Sequence, residues 1–558
     1  MTGLDWAVLI GTLGFIVVYG GWRTRGAATM DTYFRGDYTL RWPTIGLSIM
    51  ATQASAITFL STPGQAYEDG MRFVQFYFGL PLAMVVISAL FVPIYYKLKV
   101  YTAYEVLEHR FDARVRYLGA LLFLMGRGLA AGITLYAPSI ILSTLMGWPL
   151  QGTTVAMGLS VVLYTVIGGT RAVSETQKHQ MIVMLAGLAL ALVLIVWRLP
   201  EAIGLTEAVR LAGALDRMNV VSFDFDTSTR YTFWSGITGG FFLALSYFGT
   251  DQSQVQRYLS GRSVAESRLG LVFNGMLKIP MQFVILLVGV MVFVFYLFVQ
   301  PPVFFNASLL RQVAAGPQAP ALQALQVRYD AAFAERRAAA EAFAAGNESS
   351  RAALREADAR IESIRTETKE LVKRTVPGAE TQDADYVFLS FVLRYVPSGL
   401  VGLLIAVILC AAMSSVSSEL TALGSTTTVD LWKRLWPKET TARQDLTTSK
   451  VFTAAWGAVA VLFGAFAALL DNLIEAVNIV GSLFYGTILG LFVVAFFVKF
   501  VTATPVLVAA LVALATVLTL FWTSDVGFLW FNVIGCGMVV VLSMALEGLR
   551  RSRFPGPS

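Results

Sequence analysis

The chain has 558 residues, 56% hydrophobic and only 14% charged, with a mean hydropathy of +0.66, a balance that excludes an ordinary soluble globular protein. Its formal net charge of +6 needs no nucleic acid, because the excess Lys and Arg sit in short loops between apolar runs, where membrane proteins carry them on the cytoplasmic side. The two cysteines, Cys410 and Cys536, fall in apolar runs and the two histidines, His109 and His179, are isolated, so neither a disulfide framework nor a zinc site is supported.

Runs of about 20 apolar residues are long enough to cross a bilayer of about 30 Å as helix. They recur at 5–22, 43–62, 74–97, 116–146, 150–169, 179–199, 232–250, 270–299, 396–424, 449–470, 474–498, 503–523 and 526–547. The pattern predicts an all-α polytopic membrane protein of about thirteen transmembrane helices. Asp5 precedes the first run and Arg23 and Arg25 follow it, the reverse of a cleavable signal peptide, so this run reads as a permanent span. Alternate loops carry Arg35 and Arg41, Lys97 to Arg116, Arg171 and Lys178, Arg257 to Arg268, and Lys433 to Lys450, with Lys499 and Arg550 to Arg553 on the same side. The expected orientation in a plasma (inner) membrane is therefore an outside N-terminus and a cytoplasmic C-terminus.

Residues 301–385 break the pattern with an Ala, Glu and Arg rich segment. Leu322, Leu325, Tyr329 and Phe333, then Leu354, Ile361, Ile364 and Leu371, recur near helical spacing around Gly346-Asn347, which predicts a helical hairpin outside the membrane. Its charged faces read most simply as solvated, with docking of an extracellular partner as the other reading. Asn306-Ala-Ser and Asn347-Glu-Ser match a glycosylation pattern that matters only in a eukaryotic secretory host.

The ninth run ends in "CAAMSSVSSELTALGSTTTVD", Cys410 to Asp430, with nine hydroxyl side chains. Such groups serve helix packing, where small residues allow close approach and Ser or Thr bonds a carbonyl one turn back. They also serve a hard cation, which takes hydroxyls and freed backbone carbonyls as oxygen ligands. Ala411, Ser414 and Ser415 share one helix face by their i, i+3, i+4 spacing, and spacing leaves both uses open. The stretch "GLSIMATQASAITFLSTPGQAYEDG", Gly46 to Gly70, is too small and polar for a lipid-facing helix and reads as a broken one, tolerated at membrane depth only where it is buried or lines a cavity.

These stretches, together with "VYTAYEVLEHRF", "YTVIGGTRAV", "SYFGTDQSQVQRYLSGRS" and "NIVGSLFYGTILGLF", resemble the sodium:solute symporter family of sodium-coupled sugar, proline, sialic acid, iodide, monocarboxylate and vitamin transporters. The resemblance implies a leucine-transporter-like core of two inverted five-helix repeats, built from spans two to eleven with a broken first core helix, and alternating access around a midplane site. The implied division is 1–42 (first helix and cytoplasmic linker), 43–300 (first repeat and start of the second), 301–385 (hairpin insertion), 386–523 (remainder of the second repeat) and 524–558 (last helix and tail). The implied function is sodium-coupled import of a small organic solute across the lipid bilayer.

By the same resemblance, the main Na+ site comprises backbone oxygens of Ala51, Ala54 and Ala411 and hydroxyls of Ser414 and Ser415. Some relatives hold a second Na+ with an Asp in a "TD..Q" motif. Here Gln177 stands at that position between Thr176 and Gln180, so a second site from Ser417, Ser418 and Gln177 lacks its carboxylate and binds more weakly. The expectation is one coupled Na+.

Substrate-facing residues implied by position are Gln53, Ser55 and Thr58 from the broken helix, Phe76 and Tyr77 from the third span, and Tyr247 at an aromatic gate. Apolar Ala244 stands where the sugar-transporting relatives carry a polar contact, which argues against a sugar. Lys278 in "NGMLKIPMQF" resembles a lysine of those relatives and argues for one, unless it snorkels to the cytoplasm. Arg127 within the fourth span suits a solute carboxylate, as in sialic acid transporting relatives, or else pairs with carbonyls or an internal acid. Tyr247, Asp251 and Arg257 form an expected inner gate, against a plain helix-end charge cluster. The solute expected is a carboxylate of the sialic acid or monocarboxylate type, with a sugar as the alternative. A transporter-like sensor lacks an appended domain in the dozen or so residues after Leu546, an enzyme lacks a nucleophile elbow or metal cluster, and a passive channel would share the hydroxyl ligands.

Overall fold

The computed structural model describes residues 1–23, 39–376, 379, 381–436, 440–465 and 473–553, and the loop residues Arg25, Arg35 and Lys438 and the span end 466–470 lie outside them. The helices that matter below are α1 (Gly3–Arg23), α2 (Trp42–Gln53), α3 (Ala56–Asp69), α4 (Ala113–Met146), α5 (Leu150–Trp197), α6 (Gly240–Thr250), α7 (Gln252–Leu259), α8 (Val264–Phe298), α9 (Ala319–Ala344), α10 (Ser350–Thr375), α11 (Leu400–Thr426), α12 (Ala442–Ala465), α13 (Leu473–Phe497), α14 (Ala503–Thr523) and α15 (Phe528–Arg553). Among the described residues ten helices are long and apolar enough to cross a membrane, and the first, second and seventh of the thirteen expected spans are not among those ten.

Both interruptions sit at the start of a five-span unit. The first divides α2 from α3 at Ala54, whose φ of −80° and ψ of 78° leave the helical region. The second divides α6 from α7 at Asp251, extended at φ −77° and ψ 120°. Discontinuous helices in corresponding halves are the signature of a midplane binding site. Span three starts at Gly70 as a 3-10 turn, Gly70–Tyr77. Spans five and six both fall within α5. Yet the hydroxyls of Tyr164 and Thr176 meet at 2.8 Å, where twelve residues of straight helix would separate them by about 18 Å. The chain therefore doubles back between them, giving two crossings.

Small residues set the spacing of the bundle, as expected where lipid supplies no hydrophobic drive. A Cβ on Gly289 of α8 would lie 2.1 Å from the Pro63 carbonyl oxygen of α3, and one on Gly64 would lie 2.0 Å from that of Ala384. α1 docks on α11 through Asp5, only 2% exposed, whose carboxylate accepts the Gly399 and Gly402 amides at 2.6 and 3.3 Å. That carboxylate satisfies donors at the N-terminus of α11 and favours its dipole.

α9 and α10 pack side by side, reversing at Gly346 with φ +98°, around Leu322, Leu325, Tyr329, Phe333, Ile361 and Ile364. Their polar faces are not uniformly solvated. Arg336 is 1% exposed, donating to Asp358 at 3.0 Å and to the Tyr296 carbonyl of α8 at 3.0 Å. Arg365 is 2% exposed and donates to Asp383 at 3.0 Å. Lys369 reaches Glu68 of α3 at 3.3 Å. These pairs fasten the hairpin to α8 and to the far end of the broken helix.

Candidate cation and solute site

The break at Ala54 has a specific consequence for one carbonyl. In continuous helix the Ser55 amide would donate to Ala51 O, but it donates instead to Gln53 O at 3.0 Å. Ala51 O is thereby released, and the Ser414 hydroxyl of α11 donates to it at 2.9 Å, with that of Ser415 at 3.4 Å. Ala51, Ala54 and Ala411 have no exposed surface, and Ser414 and Ser415 are 1% exposed. The structure thus brings Ala51 against Ser414 and Ser415, with Ala54 at the break and Ala411 one turn before Ser415. An all-oxygen, uncharged donor set suits a hard monovalent cation at membrane depth.

Beside it Gln177 of α5 is fully buried. Its amide nitrogen donates to Ser418 Oγ at 2.7 Å, Thr52 Oγ1 at 3.1 Å and Ser414 O at 3.1 Å, while its oxygen accepts from Ser48 at 2.5 Å. Ser417 bonds elsewhere, accepting from Thr165 at 2.9 Å. The uncharged Gln177 therefore ties α2, α5 and α11 together.

A cavity of about 70 Å³ lies next to the break, lined by Gln53, Ser55, Thr58, Phe76, Tyr77, Arg127 and Tyr247, together with Glu419, Asn478 and Tyr485. Seven of the eight residues expected to face solute therefore share one wall. The eighth, Lys278, is fully buried and stands over the Tyr77 ring, Nζ 5.7 Å from its centroid, outside the lining. Gln53 Oε1 is buried without a hydrogen-bond partner. Pockets that enclose organic ligands run to about 300–1,000 Å³, so this cavity must widen to admit one.

Arg127 pairs with two internal acids. Its Nε donates to Asp251 Oδ2 at 3.0 Å and its Nη1 to Glu419 Oε1 at 3.0 Å, while Nη2 reaches Asp251 and Tyr485. Its guanidinium also lies 5.1 Å from the Tyr247 ring centroid. The expected gate trio does not form one cluster. Tyr247 and Asp251 both meet Arg127, Tyr247 also accepting from Gln254 at 2.7 Å, whereas Arg257 stands apart and bonds Ser174 at 3.0 Å and Thr421 at 3.2 Å.

Three contributors were not picked out from the sequence. Glu419 stands inside the quoted hydroxyl stretch, and a carboxylate within an apolar span was the available signal. Tyr485 and Asn478 carry no local signal, because only the fold turns α13 toward the cavity. A further ion-pair cluster closes the loop-side ends of α4 and α11: Asp430, fully buried, accepts from Arg116 Nε at 2.7 Å and Thr102 at 2.7 Å, and Arg116 also meets Glu108 at 2.5 Å.

A model of the sodium:solute symporter family matches residues 33–320 and 366–513, on both sides of the hairpin and through every element of this site. The chain belongs to that family. Its members are transporters, not enzymes, and this chain is a multi-pass membrane protein with the same all-helical fold. The chain is similar to the sodium/sialic acid symporter SiaT of Proteus mirabilis, 26% identical over 549 residues, covering 96% of this chain and 93% of that one. It is also similar to sodium-coupled monocarboxylate transporter 2 of Bos taurus, 32% identical over 259 residues. That match takes in 46% of this chain and 42% of the transporter, so the chain spans less than half of that relative's length. A solved substrate-bound, outward-open Na+-coupled sialic acid symporter superposes with a TM-score of 0.77 over 98% of both chains at 24% identity, which shows the shared fold.

Proposed function

We propose that the chain is a sodium-coupled symporter that imports a small carboxylate-bearing organic solute by alternating access, with one Na+ held by Ala51, Ala54, Ala411, Ser414 and Ser415. The observation that carries this reading is the Ala51 carbonyl, freed by the helix break and met by two buried hydroxyls of α11 beside the cavity. Na+ binding there links α2 to α11 and so orders Gln53, Ser55 and Thr58, giving positive coupling between ion and solute. A single charge moved through 100 mV contributes about 2.3 kcal/mol, enough for useful accumulation.

The carboxylate class is supported by Arg127 on the cavity wall and by the sialic acid and monocarboxylate relatives. Sugar is the second reading, favoured by Lys278, buried over Tyr77 with no hydrogen-bond partner on Nζ. The reading includes a plasma (inner) membrane location with the N-terminus outside, the C-terminus cytoplasmic, and the 301–385 hairpin outside and open to an extracellular partner. The test is uptake of labelled N-acetylneuraminate, lactate and glucose into proteoliposomes of the full chain with inward Na+ or K+ gradients. Uptake of an acid under Na+ alone supports the proposal. Equal uptake under both ions contradicts coupling, and uptake of glucose alone contradicts the carboxylate class.

A further inference from the structure

A buried cation of α8 has no counter-charge. Arg116, Arg127, Arg336 and Arg365 are buried and each meets a carboxylate. Lys278 is fully buried as well, but its Nζ has no hydrogen-bond partner, and among the described residues no carboxylate pairs with it. The Tyr77 ring, its centroid 5.7 Å from Nζ, returns only part of the hydration an ammonium loses. A buried charge without a partner is costly at membrane depth.

The polar residues one turn to either side are in the same condition. Asn274, Lys278 and Gln282 follow at i, i+4 and i+8, which puts them on one helix face, and none of the three has exposed surface. Gln282 leaves both Nε2 and Oε1 unbonded, and Asn274 leaves Oδ1 unbonded. The Asn274 Nδ2 reaches only the thioether of Met84 in span three, at 3.8 Å, a weak acceptor. The contact there is close, since a Cβ on Gly275 would lie 2.9 Å from the Met84 side chain. Buried polar groups ordinarily find partners. What this face leaves unused is an ammonium flanked by amide N–H groups, and donors around a single positive charge with no acid among them suit an anion.

We propose that Lys278, with the amide N–H groups of Asn274 and Gln282, holds a small monovalent anion of the halide class between α8 and span three. One negative charge cancels the one ammonium, and the ion accepts from Nζ and from the flanking amides. The anion is small because Lys278 is fully enclosed and lies outside the lining of the central cavity. Occupancy steadies the Tyr77 ring beneath Nζ and so links the anion to the cavity wall that Tyr77 helps to form. The site goes beyond the carboxylate symporter reading and does not depend on the solute class.

The test is thermal unfolding of purified full-length protein at fixed Na+ and fixed ionic strength, with isethionate, too bulky for an enclosed site, exchanged stepwise for chloride. Wild type should show a midpoint that rises and saturates with chloride. Lys278→Met should lose the chloride response while keeping a cooperative transition, which shows that it is folded. Gln282→Leu removes a donor but not the charge, and should raise the half-saturating chloride concentration by about tenfold. No chloride response in wild type overturns the proposal, and so does a response of unchanged size and half-saturation in Lys278→Met or in Gln282→Leu. Lactate and N-acetylneuraminate, added in isethionate, distinguish the two sources of negative charge. If either acid raises the wild-type midpoint, Lys278→Met abolishes that rise and chloride has no effect, the ammonium serves the solute carboxylate and the halide site is refuted.

Discussion

Replacing Gln177 with Leu tests whether the broken helix is clamped by an uncharged amide. Leu matches the side chain in bulk but removes four hydrogen bonds, to Ser48, Thr52, Ser414 O and Ser418. Two of the lost partners keep other bonds, because Thr52 Oγ1 donates to Ser48 O at 2.9 Å and Ser418 Oγ to Ser414 O at 3.0 Å. Ser48 Oγ, fully buried, is left as a donor without an acceptor. Side-chain hydrogen bonds between membrane helices average about 0.6 kcal/mol each and reach about 1.7, so four give roughly 2–3 kcal/mol with a further contribution of about 1 kcal/mol from the orphaned hydroxyl. Reversible unfolding in mixed micelles by steric trapping should therefore show a loss of about 3 kcal/mol. A loss below about 0.5 kcal/mol would refute the clamp and leave Gln177 as filler.

The same position yields a gain-of-function prediction: Gln177→Asp restores a carboxylate among Ser48, Thr52, Ser414 O and Ser418, and the Hill coefficient for Na+ in uptake should rise from about 1 toward about 2. Arg127→Met strands two buried carboxylates, a change that costs about 3–5 kcal/mol where a buried pair loses one partner. It should lower the thermal midpoint, and Arg127→Met combined with Glu419→Gln should recover part of the loss. Arg116→Ala removes the cation held by buried Asp430, so a cysteine placed at the loop-side end of α11 should become more reactive to a water-soluble maleimide. No change in labelling would mean that the Arg116 and Asp430 pair does not hold that end closed.

Composition alone made the chain a helical membrane protein, and the small, polar run from Gly46 to Gly70 marked the broken helix because so few of its side chains could face lipid. Ser414 and Ser415 stood out as hydroxyls on one helix face, but spacing left packing and cation binding both open, and their assignment, like that of Gln53, Ser55 and Thr58, came from the family resemblance. Arg127 was visible as a charge in a span, but its partners were not. Asp251 and Glu419 lie 124 and 292 residues away in the chain, and helical periodicity carries no information about contacts at that separation. The buried Arg336 and Arg365 escaped for a related reason, since a charged residue on an amphipathic helix reads as solvated until a second surface covers it. The reversal between spans five and six carries no local sequence signal, and the meeting of Tyr164 and Thr176 reveals it.

The central claim is that Na+ binds where α11 meets the freed Ala51 carbonyl, and the most direct measurement is the thermal midpoint of purified protein titrated with NaCl against choline chloride, for wild type and Ser414→Ala. A ligand at 100 times its Kd stabilises by about 2.7 kcal/mol, so wild type should show a saturable, Na+-specific rise that Ser414→Ala loses or shifts to much higher concentration. A rise of equal size and midpoint in Ser414→Ala, or none in wild type at any Na+ concentration, would contradict the account and reduce the hydroxyls of α11 to packing.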